Sequence, residues 1–99
     1  MRYTPKFTDL SRKDYDTLDG SRKKQILKSL LKVEEYGMEA GQPLHGKLWD
    51  CRKLKHKNLG LRVIFKQSDE GIEIIEIVTI GKRENSEVYD VAVERLGRS

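Results

Sequence analysis

Cysteine, histidine, proline and unbroken apolar runs are all scarce in this chain, and each scarcity removes a class of protein. Cys51 is the single cysteine. No internal disulfide can form, and a reducing cytoplasm is the expected compartment. A lone thiol in a strand reads as a small buried side chain before it reads as a nucleophile. The two histidines, His45 and His56, do not stand at a metal-ligand spacing, and both read as surface residues. No ligand set is evident, so no metal and no other cofactor is expected. No apolar run approaches the roughly 20 residues of a membrane span. Met1-Arg-Tyr-Thr-Pro-Lys6 lacks the apolar stretch of a secretory leader. No membrane partner is expected. Repeats, linkers and low-complexity segments are absent as well. With 99 residues, this leaves a single domain, residues 1–99, with one modest core.

What the chain has is charge. Charged residues make up 36% of it, as many as the apolar ones, so the core is small and the surface heavily ionic. The net charge of +4 is unevenly spread. Residues 45–66 hold Lys47, Arg52, Lys53, Lys55, Lys57, Arg62 and Lys66 against Asp50 alone, a local +6 that leaves the rest of the chain at −2. A concentration of this kind attracts nucleic acid or another polyanion. The competing reading is a solvated strand edge guarded by lysine against aggregation. A second group, Arg22, Lys23, Lys24, Lys28 and Lys32, lies elsewhere in the sequence. Its positions 24, 28 and 32 form a ridge on a helix.

Periodicity gives an α+β architecture in the order β-α-α-β-β-β-α. A strand over residues 2–7 contains Pro5, which suits an edge position. A short helix over 9–18 can be capped by Thr8 or Asp9. Residues 21–36 form a strong helix, with Ile26, Leu27, Leu30, Leu31 and Val33 as its core face and Gly37 ending it. Three glycines and Pro43 make 37–46 a loop. Strands follow over 48–55, 59–67 and 71–80; the last is the most apolar segment and belongs inside the sheet. A final helix covers 86–96, with Glu87 and Asp90 at its dipole-positive end and Val88, Ala92 and Leu96 on one face. The expected fold is a small antiparallel sheet with two N-terminal helices packed on one face and a short C-terminal helix. Trp49 is expected in the core; base stacking is its alternative.

Strand alternation then places the chemistry. Lys53 and Lys55 share a face, while Leu54 points into the core. Leu61, Val63 and Phe65 of the next strand oppose Arg62, Ile64 and Lys66. With the apolar sides against the helices, Lys53, Lys55 and Arg62 emerge on the open face. Arg83 leaves the third strand, and Tyr89 follows on the last helix. Lysine, arginine and tyrosine suit a phosphodiester, since cations hold phosphate oxygens and an aromatic ring stacks a base. RNA carries its own nucleophile, the 2′-hydroxyl. An enzyme has to take that proton, stabilise the phosphorane and shield the leaving oxygen. Crowded cations favour loss of a proton from one of them, so Lys53 is a candidate base, with Tyr89 as the rival. Arg62 fits a bidentate phosphate clamp, and Arg83 fits stabilisation of developing charge. Each cation taken singly reads as a surface residue; the set carries the functional reading.

Asp50-Cys51, Lys53-x-Lys55, Gly60-x-Arg62-Val-Ile and Gly81-Lys-Arg-Glu-Asn-Ser-Glu-Val-Tyr89 resemble the corresponding segments of the RelE family of ribosome-dependent mRNA-cleaving toxins. The likeness extends from Arg2 to Leu96. It implies metal-independent cleavage of mRNA in the ribosomal A site, with catalytic roles for Lys53, Lys55, Arg62, Arg83 and Tyr89. Ribosome and mRNA are then partners, and the ridge from Arg22 to Lys32, with Lys47, Arg52, Lys57 and Lys66, provides the RNA- and ribosome-binding surface. A cognate antitoxin is implied too, with operator DNA reached through it. The antitoxin acts by covering the cationic face or by displacing the short helix 86–96, and displacement is the larger effect. His45 stands where RelE has arginine, and Arg52 where RelE has an aromatic residue. Members that poison DNA gyrase share the fold, and a non-catalytic RNA-binding module is a third reading. The intact set of five favours the nuclease.

Overall fold

A computed structural model describes residues 2–98. Strand β1 (Thr4–Phe7) leads into helix α1 (Asp9–Asp16) and helix α2 (Gly20–Tyr36). Strand β2 (Gln42–Pro43) and the strands β3 (Cys51–His56), β4 (Leu61–Gln67) and β5 (Ile74–Lys82) follow, and helix α3 (Glu87–Arg95) closes the fold. Local chemistry explains the helix starts. Thr8 caps α1 in a reciprocal box with Ser11: its hydroxyl accepts from the Ser11 amide at 3.0 Å, and the Ser11 hydroxyl accepts from the Thr8 amide at 2.9 Å. Asp19 caps α2 by accepting from the Arg22 amide. Gly37 ends α2 at φ +61, and a Cβ there would lie 2.7 Å from the Tyr3 ring. No other residue combines that dihedral with that clearance.

The sheet is five-stranded, in the order β1-β5-β4-β3-β2. The β3–β4 and β4–β5 pairs are antiparallel, as expected, and β5 is an inner strand. Two features differ from the purely antiparallel expectation. The edge strand β1 runs parallel to β5, because α1 and α2 carry the chain away from it before the hairpins begin. Inside the expected loop, Gln42 and Pro43 pair with Lys53 and Arg52 as a second edge. Pro5 and Pro43 thus both sit on edge strands, where a missing N–H is tolerated. Strand β3 also begins later than residue 48: Leu48 lies in a 3-10 turn over Gly46–Leu48 and is buried there.

Both faces of the sheet are covered. On one, Ile26, Leu30 and Val33 of α2 pack against Leu54, Leu61, Val63, Phe65, Ile75, Ile77 and Ile80. Ile77 and Ile80 reach the same face despite odd spacing because a β-bulge interrupts the ladder opposite Ile64 and Phe65. On the other face, Val88 and Ala92 of α3 pack on Leu48, Cys51, Ile64 and Val78. Gly81 lies beneath Val88, where a Cβ would make an ordinary contact at 3.4 Å. Leu27 and Leu31 do not join the core. They are 49% and 60% exposed, because a helix lying on a sheet buries one stripe, and Ile26, Leu30 and Val33 fill it.

Candidate active site

Adjacent strands β3 and β4 bring the cations together. Lys55 lies directly opposite Arg62, and Lys53 opposite Ile64, on the face that α3 partly covers. Tyr89, half-buried on α3, packs against the Val88–Ala92 cluster and turns its hydroxyl toward the sheet. Lys53 Nζ donates to Tyr89 Oη at 3.3 Å and stands 5.5 Å from the ring centroid. The two candidates for general base therefore touch, although 36 residues separate them. Helix docking makes the contact; alternation within β3 alone cannot.

Arg62 departs from its expected place on an open face. It is only 6% exposed and lies opposite Gly81 of β5. Its Nη1 donates to the Leu61 carbonyl at 3.0 Å, and its Nε is a buried nitrogen without a partner. No carboxylate pairs with it among the described residues. A desolvated, unpaired guanidinium costs several kcal/mol. Such a group is a standing demand for an anion. Lys55 opposite it is exposed, so an anion has access from solvent. His56, expected at the surface, is half-buried on the α2 side with Nε2 2.9 Å from Ser29 Oγ. Burial, then the positive charge of Arg62, holds its imidazole below the usual histidine range.

Arg83 is exposed just beyond β5, and its backbone amide donates to the Gly60 carbonyl at 3.1 Å. It borders a cavity of about 570 Å³ with Arg22, Gly60, Leu61 and Lys82. No side-chain bond joins it to Lys53 or Tyr89 among the described residues. The segment from Arg83 to α3 passes through Asn85 and Ser86, both left-handed at φ 55 and 59. Ser86 supplies no side-chain cap to α3.

The remaining cations divide. Lys24, Lys28 and Lys32 are exposed along α2, as are Lys47 and Lys57. Arg22 is exposed but lies 3.6 Å from Asp19, and Lys23 rests over the Tyr15 ring. Arg52 is half-buried and donates to the Gly41 carbonyl. Lys66 is only 9% exposed, and its Nζ donates to the Gln67 carbonyl at 2.9 Å. Trp49, expected in the core, is 73% exposed. Cys51 is fully buried, and burial with the neighbouring Asp50 charge pushes its thiol up to about 11, which suits the inert reading.

Two arginine–aspartate pairs escaped the sequence reading because nothing local marks them. Asp14 of α1 and Arg95 of α3 form a bidentate pair, at 2.6 and 2.9 Å, across 81 residues. Asp14 also accepts from the Ile80 amide and the Thr79 hydroxyl, and Arg95 donates to the Val78 carbonyl. The pair thus satisfies backbone groups that the β-bulge frees. Arg98 pairs with both oxygens of Asp50 and donates to the Lys47 carbonyl. The Arg98 hydrogen bonds hold the Asp50 carboxyl down to about 2. Together these pairs pin the far end of the helix that carries Tyr89.

Among the described residues no helix is long and apolar enough to cross a membrane, and no cluster of three or more His, Cys, Asp or Glu could hold a metal. No protein-family profile matches the chain. It is 36% identical over 96 residues to a putative RelE-like toxin protein of Escherichia coli, covering 97% of this chain and 99% of that one. It is 32% identical, with the same coverage, to the mRNA interferase toxin RelE of E. coli strain K12. The fold superposes on a mutant of E. coli toxin RelE in the free state with a TM-score of 0.78, at 33% identity, over 97% of this chain and 99% of that one. A RelE mutant in complex with a peptide of the antitoxin RelB aligns at TM-score 0.72 and 33% identity, over 94% and 96% of the two chains.

Proposed function

The chain belongs to the RelE toxin family, and from that premise we propose that it is an mRNA interferase, an endoribonuclease that cuts mRNA on the ribosome and is silenced by a cognate antitoxin. The observation that carries this reading is the Arg62 guanidinium, buried with an unpaired Nε opposite Lys55 and two residue pairs along the ladder from the Lys53–Tyr89 contact. In this reading the scissile phosphate docks on Arg62 and Lys55. Its charge repays the desolvation of Arg62. Lys53 and Tyr89 share a hydrogen bond, so the one that has given up its own proton to solvent takes the 2′-hydroxyl proton while the other, still protonated, donates to it. The Tyr89 ring offers a stacking face for the adjacent base. Arg83 joins the set when RNA spans from the β3–β4 ladder to the end of β5, where it meets charge developing on the phosphate or leaving oxygen.

The exposed ridge of Lys24, Lys28 and Lys32 is assigned to ribosomal RNA, with Lys47 and Lys57 as further phosphate contacts. The antitoxin is assigned the surface around α3. Displacing that helix separates Tyr89 from Lys53 and so acts on catalysis directly. It also has to break the Asp14–Arg95 and Asp50–Arg98 pairs, which makes α3 harder to detach than its nine residues suggest.

Cleavage of mRNA on programmed ribosomes tests the reading, with gyrase supercoiling as the control. The wild-type protein cuts mRNA and leaves gyrase unaffected. Arg83→Ala lowers the rate by about 10²–10³, the scale of a lost transition-state donor. Gyrase inhibition without RNA cleavage refutes the nuclease. Full activity of Arg83→Ala removes that residue from the mechanism.

A further inference from the structure

Trp49 is the chain's single tryptophan. An indole is costly to leave in water, since burying an aromatic ring of its size removes a large apolar area. Yet Trp49 is 73% exposed. It is absent from the aromatic pairs and cation–π contacts found among the described residues. Nor is it carried on a loose loop. Its amide closes a 3-10 turn on the Gly46 carbonyl at 3.2 Å. Leu48 before it is 5% exposed and anchored in the cluster under α3. Asp50 after it is gripped by Nη1 and Nη2 of Arg98, and the same guanidinium holds the Lys47 carbonyl. Both neighbours are tied into the fold, and the indole between them is left in solvent.

Its position is as telling as its exposure. Trp49 precedes Lys53 by four residues, so their Cα atoms lie within about 14 Å of each other even for fully extended chain. Lys47 on the same turn is exposed, and Lys53 follows on β3. A flat aromatic face on a cationic surface is how proteins hold an unpaired nucleobase: the cations track the phosphates while the ring stacks the base without regard to sequence. We propose that Trp49 is a base-stacking platform for the RNA strand, seating a nucleotide adjacent to the scissile one. This rests on the nuclease reading for the identity of the strand and adds to it a specific contact outside the five-residue set. A pre-formed turn makes the contact inexpensive, because few degrees of freedom remain to be lost on binding.

Uniqueness makes the test direct, since Trp49 is the chain's only indole. Two measurements are made on the full chain. In the first, a short single-stranded RNA bearing 2′-O-methyl sugars, which cannot be cleaved, is titrated at low salt while Trp49 fluorescence is read. Stacking quenches the emission, and an RNA of abasic nucleotides, with the same charge, does not. In the second, single-turnover cleavage is followed on programmed ribosomes. Trp49→Ala raises the half-saturating ribosome concentration by about tenfold or more, leaving the rate at saturation little changed, and Trp49→Phe recovers most of the loss. Chemical denaturation of both variants confirms that they fold as the wild type does.

Quenching that is equal with abasic RNA, or wild-type half-saturation by Trp49→Ala, overturns the proposal. So does a Trp49→Ala variant that loses antitoxin affinity and keeps its cleavage parameters; the indole would then serve a protein partner. A wild-type chain that cuts no RNA but is quenched by base-bearing RNA refutes the nuclease and leaves the stacking contact standing.

Discussion

Removing the Asp14 carboxylate should cost this protein a large share of its stability. Asp14 and Arg95 are 18% and 19% exposed at their side chains, so the pair is largely shielded. The carboxylate accepts two bonds from Arg95, one from the Ile80 amide and one from the Thr79 hydroxyl. In Asp14→Ala the Ile80 N–H is left buried at the bulge without an acceptor, at about 1–3 kcal/mol. The Arg95 guanidinium keeps only the Val78 carbonyl. Breaking a buried pair by deleting one partner costs about 3–5 kcal/mol; residual solvent access here brings the expectation to about 3. In a small domain that corresponds to about 12–24 °C in Tm. Arg95→Met should cost less, about 1–2 kcal/mol, because its stem still packs and Asp14 keeps the Ile80 amide. Denaturant unfolding of both single variants and the double variant gives the coupling, expected at 1 kcal/mol or more. Amide exchange should rise in α3 before it rises in β4, since α3 loses its tether first. A loss below about 1 kcal/mol for Asp14→Ala, or strict additivity in the double variant, would refute the idea that this pair plugs the bulge and holds α3.

Acid should loosen the second tether. The Asp50 carboxyl titrates at about 2 when folded against an ordinary 3.8, so its contribution is complete above pH 4 and is lost as pH falls through 2. After allowance for solvent screening that is about 1 kcal/mol, and Asp50→Asn should flatten this part of the stability-versus-pH curve; an unchanged slope counts against the pair. Arg62→Met should leave stability equal or higher by about 1 kcal/mol, because it removes a buried unpaired charge, while cleavage falls by about 10²–10³. Marked destabilisation would show that Arg62 serves the core. Cys51, buried and with its thiol pushed up to about 11, should resist iodoacetamide at pH 8 until the protein unfolds; rapid labelling of the native state would contradict that.

Much of this molecule was legible in its sequence because the relevant signals are local. Helical and strand periods, the Thr8 cap, Gly37 at a helix end and Pro5 at a sheet edge all depend on neighbours within a few residues. Alternation placed Lys53, Lys55 and Arg62 on one face, and that face is where they stand. Resemblance to a known family supplied the roles expected of these residues. The tertiary structure decided the rest. Only packing could bury Arg62, since strand alternation sets its face and not how much of that face stays open. Only docking of α3 set Lys53 against Tyr89, and only the bulge in β5 called for Asp14 and Arg95. Leu27, Leu31 and Trp49 were misplaced for the same reason: hydrophobicity says what a side chain gains by burial, whereas the fold determines how many places inside are left to fill.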